Sequence, residues 1–358
     1  MSTNAPVPEL SSIAYLVYDG DFDYVILERN AWQKRSIASI TKVMTLFYCL
    51  ELVEQGELAL DAVVTASSRA ASRKGTQINI KAGDQFTLEE LLYAAALVSA
   101  NDAAVAIAEY VAGSEAAFVR LLNERAKELG LKDTHYVDCT GLLSIFSNNY
   151  STAYDQVKLL QAAVEVPLFR QIMGAREYYL AAQGRKLKNS HPHLELAGVE
   201  GGKTGATTPA GHTLITSRHH LGRRLITIVL GARSRDVRNA ESLALLDWAY
   251  NNLRVVIAND ELITPVIVRD GVDHQINGIL AHEFSVVALN DTDLEFERAV
   301  ELLEGIKAPV ERGDKLGELI ISSGGEEFAR IDIVAQQGTG LTSWLRRIFN
   351  RVYRYFLR

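Results

Sequence analysis

The stretch Ala38-Ser39-Ile40-Thr41-Lys42-Val43-Met44-Thr45 opens an apolar segment and places a serine three residues before a lysine. On a helix, Ser39 and Lys42 lie one above the other on the same face. A serine hydroxyl becomes a good nucleophile when a base takes its proton, and a lysine amine can be that base when burial or a nearby cation lowers its pKa. The pattern also fits a serine that caps a helix beside a solvated lysine. The rest of the chain must decide between these interpretations.

Composition limits the class of protein. The chain has 358 residues, 48% of them hydrophobic and 23% charged, which fits two or three globular domains. The net charge of -7 argues against a protein that binds nucleic acid. Two cysteines, Cys49 and Cys139, are too few for a disulfide framework or a structural zinc site, and Cys49 is expected in the core. We therefore expect neither a metal nor a cofactor.

The first two thirds of the chain predict an α+β fold. The β-rich runs Ile13–Tyr18 and Tyr24–Glu28 form a predicted hairpin, and His212–Arg218 and Arg223–Ala232 form a second strand pair. Helix signals fill the region between them, so we expect one antiparallel sheet whose early and late strands pair around an inserted helical lobe. The predicted helices cover residues 39–54, 88–98, 101–111, 115–130, 156–164 and 236–251, and a short β-like run is predicted at 77–81.

The sequence pattern changes near residue 253, where short β runs separated by turns replace the helix signals. These runs predict a small all-β sandwich or barrel domain, and they lie at Leu262–Val268, Phe284–Leu289, Lys315–Ser322 and Phe328–Val334. The predicted domains are therefore residues 1–252, 253–337 and 338–358.

The two ends of the chain bear on location. Residues 1–12 have no basic segment and no apolar run, so no signal peptide is predicted, as in a cytosolic protein or a mature form. No apolar run reaches about 18 residues, so no spanning helix is predicted. Residues 341–358 carry five arginines and no acid, with aromatic and aliphatic residues on the opposite helical face. This pattern predicts an amphipathic helix on an anionic membrane surface, and the alternative is a helix docked on its own protein.

Three motifs stand in order along the chain: Ser39-x-x-Lys42, Ser99-Ala100-Asn101 and Lys203-Thr204-Gly205. They are expected at a helix start, between two helices and on a strand, and together they are typical of penicillin-binding proteins and class A β-lactamases. The sequence resembles the low-molecular-mass penicillin-binding proteins, the D-alanyl-D-alanine carboxypeptidases of peptidase family S11. The resemblance covers about residues 10–252, and the β domain and tail also match that family's architecture. Further matching stretches are 91–97, 101–104, 150–155 and 238–242.

The resemblance implies a transpeptidase-like domain with a serine mechanism. Ser39 would attack the carbonyl of the penultimate D-alanine, and Lys42 would take its proton while Lys203 helps to keep Lys42 neutral. Ser99 would relay a proton to the leaving amine, and Asn101 would hold Lys42 and contact the peptide.

The resemblance also implies how the substrate binds. The strand of Lys203, Thr204, Gly205 and Ala206 would lie beside the substrate like an added strand, and the backbone N–H groups of Ser39 and Ala206 would form an oxyanion hole. Thr204 and Arg238 are candidates for binding the terminal carboxylate. The implied partners are peptidoglycan stem peptides, β-lactams as covalent inhibitors and the membrane surface, at the extracytoplasmic face of the cell membrane.

Several alternatives remain open. A β-lactamase of class A uses a glutamate for deacylation, and the segment Leu129–Val164 contains none. Leu143, His191-Pro192-His193 and Ala206 depart from the usual carboxypeptidase pattern, so an endopeptidase stays possible, as does a low-turnover scaffold that binds peptidoglycan. Arg238 also fits a surface residue at a helix start, and Asp155 fits an N-cap and loop anchor better than a proton carrier. The histidines, including His219 and His220, are expected to be solvated loop residues.

Overall fold

The computed structural model describes residues 6–142, 148–287, 296–323 and 325–343. The chain divides into two compact units, one covering Pro6–Ala249 and the other beginning at Tyr250. This division does not test the domain boundaries predicted after residues 252 and 337, which remain predictions. In the part of the chain that is described, no helix has the length and apolar character needed to cross a membrane.

The first unit mixes helices and strands. Its strands are β1 (Ala14–Asp19), β2 (Tyr24–Arg29), β3 (Arg35–Ser36), β4 (Val63–Thr65), β5 (Gln85–Thr87), β6 (Tyr150–Ser151), β7 (Glu177–Leu180), β8 (Arg185–Lys188), β9 (Val199–Thr207), β10 (Gly211–His220) and β11 (Arg223–Ala232). Its α-helices are α1 (Lys42–Glu54), α2 (Ser68–Ser72), α3 (Leu88–Leu97), α4 (Asn101–Ala112), α5 (Glu115–Glu128), α6 (Ala153–Glu165), α7 (Pro167–Gly174) and α8 (Arg235–Asn251), which ends just past the unit boundary.

A five-stranded antiparallel sheet with the order β2-β1-β11-β10-β9 organises this unit. Every residue of β1 is buried, and Leu16 lies opposite Ile228 of β11. The predicted pairing of early and late strands is confirmed. Strand β9 ends the sheet, and α7 contacts it, since a Cβ on Gly201 of β9 would meet the Cβ of Met173 at 2.7 Å.

Helices α3, α4 and α5 lie within about two residues of their predicted bounds, whereas α2 and α7 were not predicted and α1 begins at Lys42 rather than at residue 39. Thr87 and Glu90 form a complete capping box at α3, Ser114 caps α5, and Gly113 ends α4 in the left-handed conformation. Helix α1 is buried along most of its length, and Cys49 is part of the core as expected. These local signals are strong because N-caps satisfy the backbone N–H groups, and C-caps the carbonyl groups, that a helix leaves unpaired at its two ends.

The β-like run predicted at residues 77–81 is wrong. The backbone N–H groups of Ile78 and Ile80 donate instead to the carboxylate of Asp102, at 3.1 Å each. A side chain on α4 thus replaces a strand partner, and the segment joins no sheet, with Asn79 between the two donors at a φ of +61°.

The second unit, taken by itself, contains strands within its described residues. They are β12 (Leu253–Ile257), β13 (Leu262–Ile267), β14 (Gln275–Leu280), β15 (Phe284–Val287), β16 (Glu297–Leu302), β17 (Lys315–Ser323) and β18 (Glu326–Ala335). A sheet of order β13-β14-β18-β17-β16 and the pair β12-β15 result. The sequence analysis missed β12, β14 and β16. Strand β16 gives a weak signal because all six of its residues are exposed.

Two sequence predictions fall beyond what the structure describes. Residues 344–358, which hold the basic and aromatic part of the predicted amphipathic helix, lie outside the described residues, and so does Leu143. Within the described part of the tail, Leu341 forms a bridge to Gly271 in the second unit.

Candidate active site

Ser39 and Lys42 are brought together by a turn of 3₁₀-helix rather than by an α-helix. The turn covers Ala38–Thr41, and α1 begins at Lys42. In a 3₁₀-helix, residues three apart eclipse one another, and the Nζ of Lys42 lies 3.2 Å from the Oγ of Ser39. The predicted shared face is therefore confirmed. The N-cap interpretation of Ser39 is wrong, since Ile37 and Thr41 occupy the N-cap positions of the turn and of α1.

The amine of Lys42 is buried among three oxygen acceptors. Besides Ser39 it contacts the Oδ1 of Asn101 at 2.6 Å and the carbonyl oxygen of Thr140 at 2.8 Å. Burial lowers the pKa of Lys42 to about 8. A solvated lysine is excluded, and a substantial fraction of the amine is neutral near pH 7 to 8, so it can accept a proton.

Ser99 lies in the break between α3 and α4. Its backbone has a φ of +61°, a left-handed conformation that a non-glycine residue seldom adopts, and such strain concentrates at functional sites. The Ser99 hydroxyl is buried and has no hydrogen-bond partner among the described residues. The next residue but one, Asn101, accepts from Lys42 and donates an amide N–H to the carbonyl of Lys74 at 2.8 Å. The break between the two helices thus places the Ser99 hydroxyl, which is available to donate or accept a proton, close in sequence to the Asn101 amide, which is fixed by two hydrogen bonds.

Strand β9 supplies the third motif. Lys203 is buried, and its amine donates to the carbonyl of Thr204 at 3.0 Å. Burial, and then the positive charges of Lys42 and Arg238, lower the pKa of Lys203 well below its ordinary value. The expected proximity of the two lysines is therefore present. Thr204 is half-buried with its Oγ1 3.4 Å from the Oγ of Ser190.

Gly205 sets how closely β9 approaches the Ser39 turn. A Cβ at this position would lie 2.9 Å from the backbone nitrogen of Ser39 and 2.6 Å from the Oγ1 of Thr213. The absence of a side chain is thus what lets β9 pack against the turn. Ala206, the next residue on the strand, is exposed.

Arg238 is buried near the first turn of α8, so the surface interpretation is wrong. Its Nε and Nη2 donate to the Oδ1 of Asn239 at 3.0 and 2.7 Å. Burial and the charge of Arg235 lower the pKa of Arg238 to about 10. Since its charge also acts on Lys203, Arg238 belongs to the same cluster of cations.

Two of the histidines are structural rather than solvated, which corrects the prediction. His191 and His193 are buried, and burial lowers their pKa values to about 3 and about 4. The Nδ1 of His191 accepts from the backbone N–H of His193 at 3.3 Å, which leaves its Nε2–H to donate to the Oγ1 of Thr216 at 3.1 Å. Both rings are neutral at pH 7. His219 and His220 lie on β10 rather than in a loop.

Asp155 lies inside the first turn of α6, so the N-cap interpretation is wrong and Thr152 is the N-cap. The Asp155 carboxylate accepts from the backbone N–H of Asp133 at 2.9 Å and from the Oγ1 of Thr134 at 2.7 Å, as a loop anchor does. Burial raises the pKa of Asp155. These contacts tie the loop after α5 to α6.

The sequence analysis missed one of the groups that accept a hydrogen bond from the Lys42 amine, the backbone carbonyl of Thr140. The Oδ1 of Asp138 accepts from the N–H groups of Thr140 and Gly141 at 2.6 and 2.7 Å. An aspartate that bonds to its own backbone two or three residues on marks a turn, so Asp138-Cys139-Thr140-Gly141 carried a readable signal. Arg73, which contacts this turn, gave no local signal because its partners are distant in sequence.

A sequence model of peptidase S11, described as D-alanyl-D-alanine carboxypeptidase, matches residues 1–234. The chain belongs to this family. It is therefore a peptidase of the D-alanyl-D-alanine carboxypeptidase family, a hydrolase with a penicillin-binding-protein fold. The chain is 30% identical over 342 residues to the D-alanyl-D-alanine carboxypeptidase DacF of Bacillus subtilis, which covers 93% of this chain and 87% of that protein.

Two further members of the family bear on activity. A D-alanyl-D-alanine endopeptidase of Pseudomonas aeruginosa is 32% identical over 248 residues, 67% of this chain and 77% of that protein. Penicillin-binding protein D2 of Listeria monocytogenes, solved in its ampicillin-bound form, has 28% identity and a TM-score of 0.63 over 68% of this chain and 100% of that chain.

Proposed function

We propose that this protein is a serine-type D-Ala-D-Ala carboxypeptidase that removes the terminal D-alanine of peptidoglycan stem peptides through an acyl-enzyme on Ser39. The observation that carries the proposal is the contact between Ser39 and Lys42. A hydroxyl lies 3.2 Å from a buried amine whose pKa is lowered to about 8, which is the arrangement of a nucleophile and its base.

In the acylation step, Lys42 takes the proton of Ser39, and the Ser39 Oγ attacks the carbonyl carbon of the penultimate D-alanine. The backbone N–H groups of Ser39 and Ala206 stabilise the oxyanion, since Gly205 lets β9 lie against the turn. The C–N bond then breaks, and the leaving amine of the terminal D-alanine takes a proton through Ser99. Water hydrolyses the ester by the reverse of these proton transfers.

The terminal carboxylate of the substrate is bound by the cluster of positive charge around β9. Lys203 and Arg238 supply this field, and Thr204 supplies a hydroxyl at the same strand. Asn101 contacts the peptide backbone through its amide. Binding an anion here lowers the cost of holding several cations in one buried site, so substrate and cations stabilise one another.

Labelling with a fluorescent penicillin tests the nucleophile. We expect a covalent adduct at Ser39 that is absent in Ser39→Ala, because β-lactams acylate the same hydroxyl, and the ampicillin-bound relative supports this expectation. A folded protein that takes no label contradicts the proposal. Release of D-alanine from a stem pentapeptide, lost in Ser39→Ala, separates an enzyme from a low-turnover scaffold.

A DD-endopeptidase is the second candidate, favoured by the similarity to the Pseudomonas aeruginosa enzyme. The two activities differ in the leaving group, which is free D-alanine in one case and a cross-linked peptide in the other. Assays of a pentapeptide and of a purified cross-linked dimer under the same conditions decide between them. Fast turnover of a chromogenic cephalosporin would instead indicate a β-lactamase.

The tail, residues 341–358, is proposed to hold the enzyme on the outer face of the cell membrane. Its arginines would face anionic lipid headgroups, and its aromatic side chains would enter the interface. Flotation with anionic liposomes tests this proposal. Loss of flotation on removal of residues 344–358 supports the anchor, and equal flotation contradicts it.

A further inference from the structure

Two buried carboxylates and a partly exposed arginine lie beside the turn that contacts the amine of Lys42. The Nη2 of Arg73 donates to the Oε1 of Glu115 at 3.1 Å and to the Oγ1 of Thr140 at 3.2 Å, and it lies 3.5 Å from the Oδ1 of Asp138. The side chains of Glu115 and Asp138 are only 4% and 11% exposed. Arg73 is therefore a cation shared between two buried carboxylates, one of which belongs to the turn that contacts Lys42.

Asp138 shapes that turn. Its Oδ1 accepts from the N–H and the hydroxyl of Thr140 and from the N–H of Gly141, at 2.6, 2.7 and 2.7 Å. The carbonyl oxygen of Thr140 then accepts from the Lys42 amine at 2.8 Å. Because three donors converge on one carboxylate oxygen, the place of Asp138 determines where the Thr140 carbonyl points.

Arg73 and Asp138 act on Lys42 in opposite directions. After burial, which lowers the pKa of Lys42 most, the charge of Asp138 raises this pKa and the charge of Arg73 lowers it. Among the described residues, the other titratable or charged groups around Lys42 and Arg73 include Cys139, Asp102, Lys203, Glu115 and Arg69. Burial raises the pKa of Cys139 well above its ordinary value, so at neutral pH it is an uncharged thiol.

We propose that Arg73 is a positioning residue for acylation. It holds the Asp138–Gly141 turn in the place where the Thr140 carbonyl accepts a hydrogen bond from Lys42, and its own charge offsets that of Asp138. The inference rests on the proposed function, in which Lys42 is the base for Ser39. Arg73 contributes a donor to Thr140 and a charge beside Asp138, and it does not touch Ser39 or the substrate. Without it, one of the positive charges that oppose the Asp138 carboxylate at Lys42 is lost, and the amine would keep its proton to higher pH.

The test is the rate of covalent labelling of the full-length protein by a fluorescent penicillin as a function of pH. For Arg73→Gln we expect the midpoint of the rise to move up by about one pH unit, which makes labelling about tenfold slower below the midpoint. Asp138→Asn keeps an oxygen acceptor for the turn and removes the charge, so its midpoint should move to lower pH. Loss of structure alone would not shift two variants in opposite directions.

Two matched variants separate charge and contact. Arg69→Gln removes the other cation on Glu115, at 2.6 Å. Within the described residues the hydrogen bonds of the Arg69 side chain go to Glu115 and not to Asp138 or Thr140, so the midpoint of this variant should stay unchanged. Arg73→Lys keeps the charge and should return the midpoint close to that of the unaltered protein. Should Arg73→Gln not fold, Arg73→Met, which also removes the charge and the donors, takes its place in the comparison with Arg69→Gln.

The inference is overturned by an unshifted midpoint in Arg73→Gln, by an upward or absent shift in Asp138→Asn, or by an equal shift in Arg69→Gln. These outcomes differ from a failure of the proposed function. An unaltered protein that takes no label overturns both, whereas a labelled protein with an unshifted Arg73→Gln midpoint overturns only the role of Arg73.

Discussion

The amines of Lys42 and Lys203 lie in one buried site, and burial acts against a positive charge on each of them. The repulsion between them is mutual, and Arg238 adds to it at Lys203. Two protonated lysines in this space are therefore costly unless an anion joins them. Burial and this repulsion both favour the neutral form of the amines, which is the form that a general base needs.

Acylation should depend on pH through this base. The pKa of Lys42 is lowered to about 8, so its neutral form is scarce at lower pH and dominant above that value. The labelling rate should therefore rise with pH through about 8 and then level off. Stopped-time labelling of the full-length protein measures the profile. A Lys42→Ala variant should be about 10²- to 10⁴-fold slower on the plateau above pH 8, and this difference should shrink at lower pH as Lys42 becomes protonated. A flat profile in the unaltered protein contradicts the assignment of Lys42.

Replacing Asp155 should lower the free energy of unfolding without changing the rate of acylation. Asp155→Ala removes acceptors from the Asp133 N–H and the Thr134 hydroxyl, which we expect to cost about 1–3 kcal/mol of unfolding free energy. Thermal unfolding and the labelling rate are measured on the same samples. Asp133→Ala is the control, because it keeps the N–H and loses only an exposed pair with Lys34. A large drop in labelling by folded Asp155→Ala would revive the proton-carrier interpretation.

At the scale of the element, the turn of Ser39 and strand β9 form one unit because Gly205 has no side chain. In Gly205→Ala, the added Cβ would meet the Ser39 nitrogen and the Thr213 hydroxyl, so the strand must move away from the nucleophile. We expect labelling to slow by about 10²-fold, the usual cost of a misplacement of about 1 Å. Thr208→Ala, at an exposed site just beyond β9, is the matched control. Equal rates in the two variants would show that this close approach is dispensable.

Elements defined by local chemistry were predictable, and those defined by distant partners were not. The capping box of Thr87 and Glu90 and the glycine that ends α4 are complete within a few residues. The segment 77–81 looked like a strand because its partner, the Asp102 carboxylate, is more than twenty residues away. The three motifs were found for the same reason as the caps, since each carries its chemistry in three or four consecutive residues.

At the scale of the molecule, the pairing of early and late strands in one sheet could be inferred from the positions of the strand pairs, and the order of the motifs indicated a single site. The burial of Arg238, His191 and His193 could not be inferred, because polar residues give no sign in sequence of what covers them. The same holds for Arg73, whose partners Glu115 and Asp138 come from two other segments of the chain.

The start of the described chain is fastened to α8 through Glu241. The backbone and hydroxyl groups of Ser11 and Ser12 all donate to this carboxylate. Burial favours the neutral form of Glu241, but these hydrogen bonds outweigh it and lower the pKa. The charged form is thus preferred by the folded state, and its stabilisation is present above the unfolded pKa and is lost as pH falls through the folded one.

Glu241→Gln should therefore destabilise the protein at pH 7 by about 1–3 kcal/mol, because an amide nitrogen would face donors. Thermal unfolding of the full chain at neutral and acidic pH measures the effect. The difference from the unaltered protein should shrink below the ordinary glutamate value of 4.5. Glu9→Gln, at an exposed position nearby, should behave like the unaltered protein. A difference that is constant with pH would exclude this role for the carboxylate.

Strand β9 ends the sheet, with β10 on one side and α7 against its first half. A ligand that lengthens the sheet along Lys203–Thr207 would be recognised by its peptide groups, because backbone hydrogen bonds supply the affinity in that mode. Such an enzyme depends more on the hydrogen bonds of the ligand's backbone than on the identity of its side chains. Stem peptides that vary in side chain should then be tolerated, whereas a single N-methyl group on the amide that faces β9 should abolish binding.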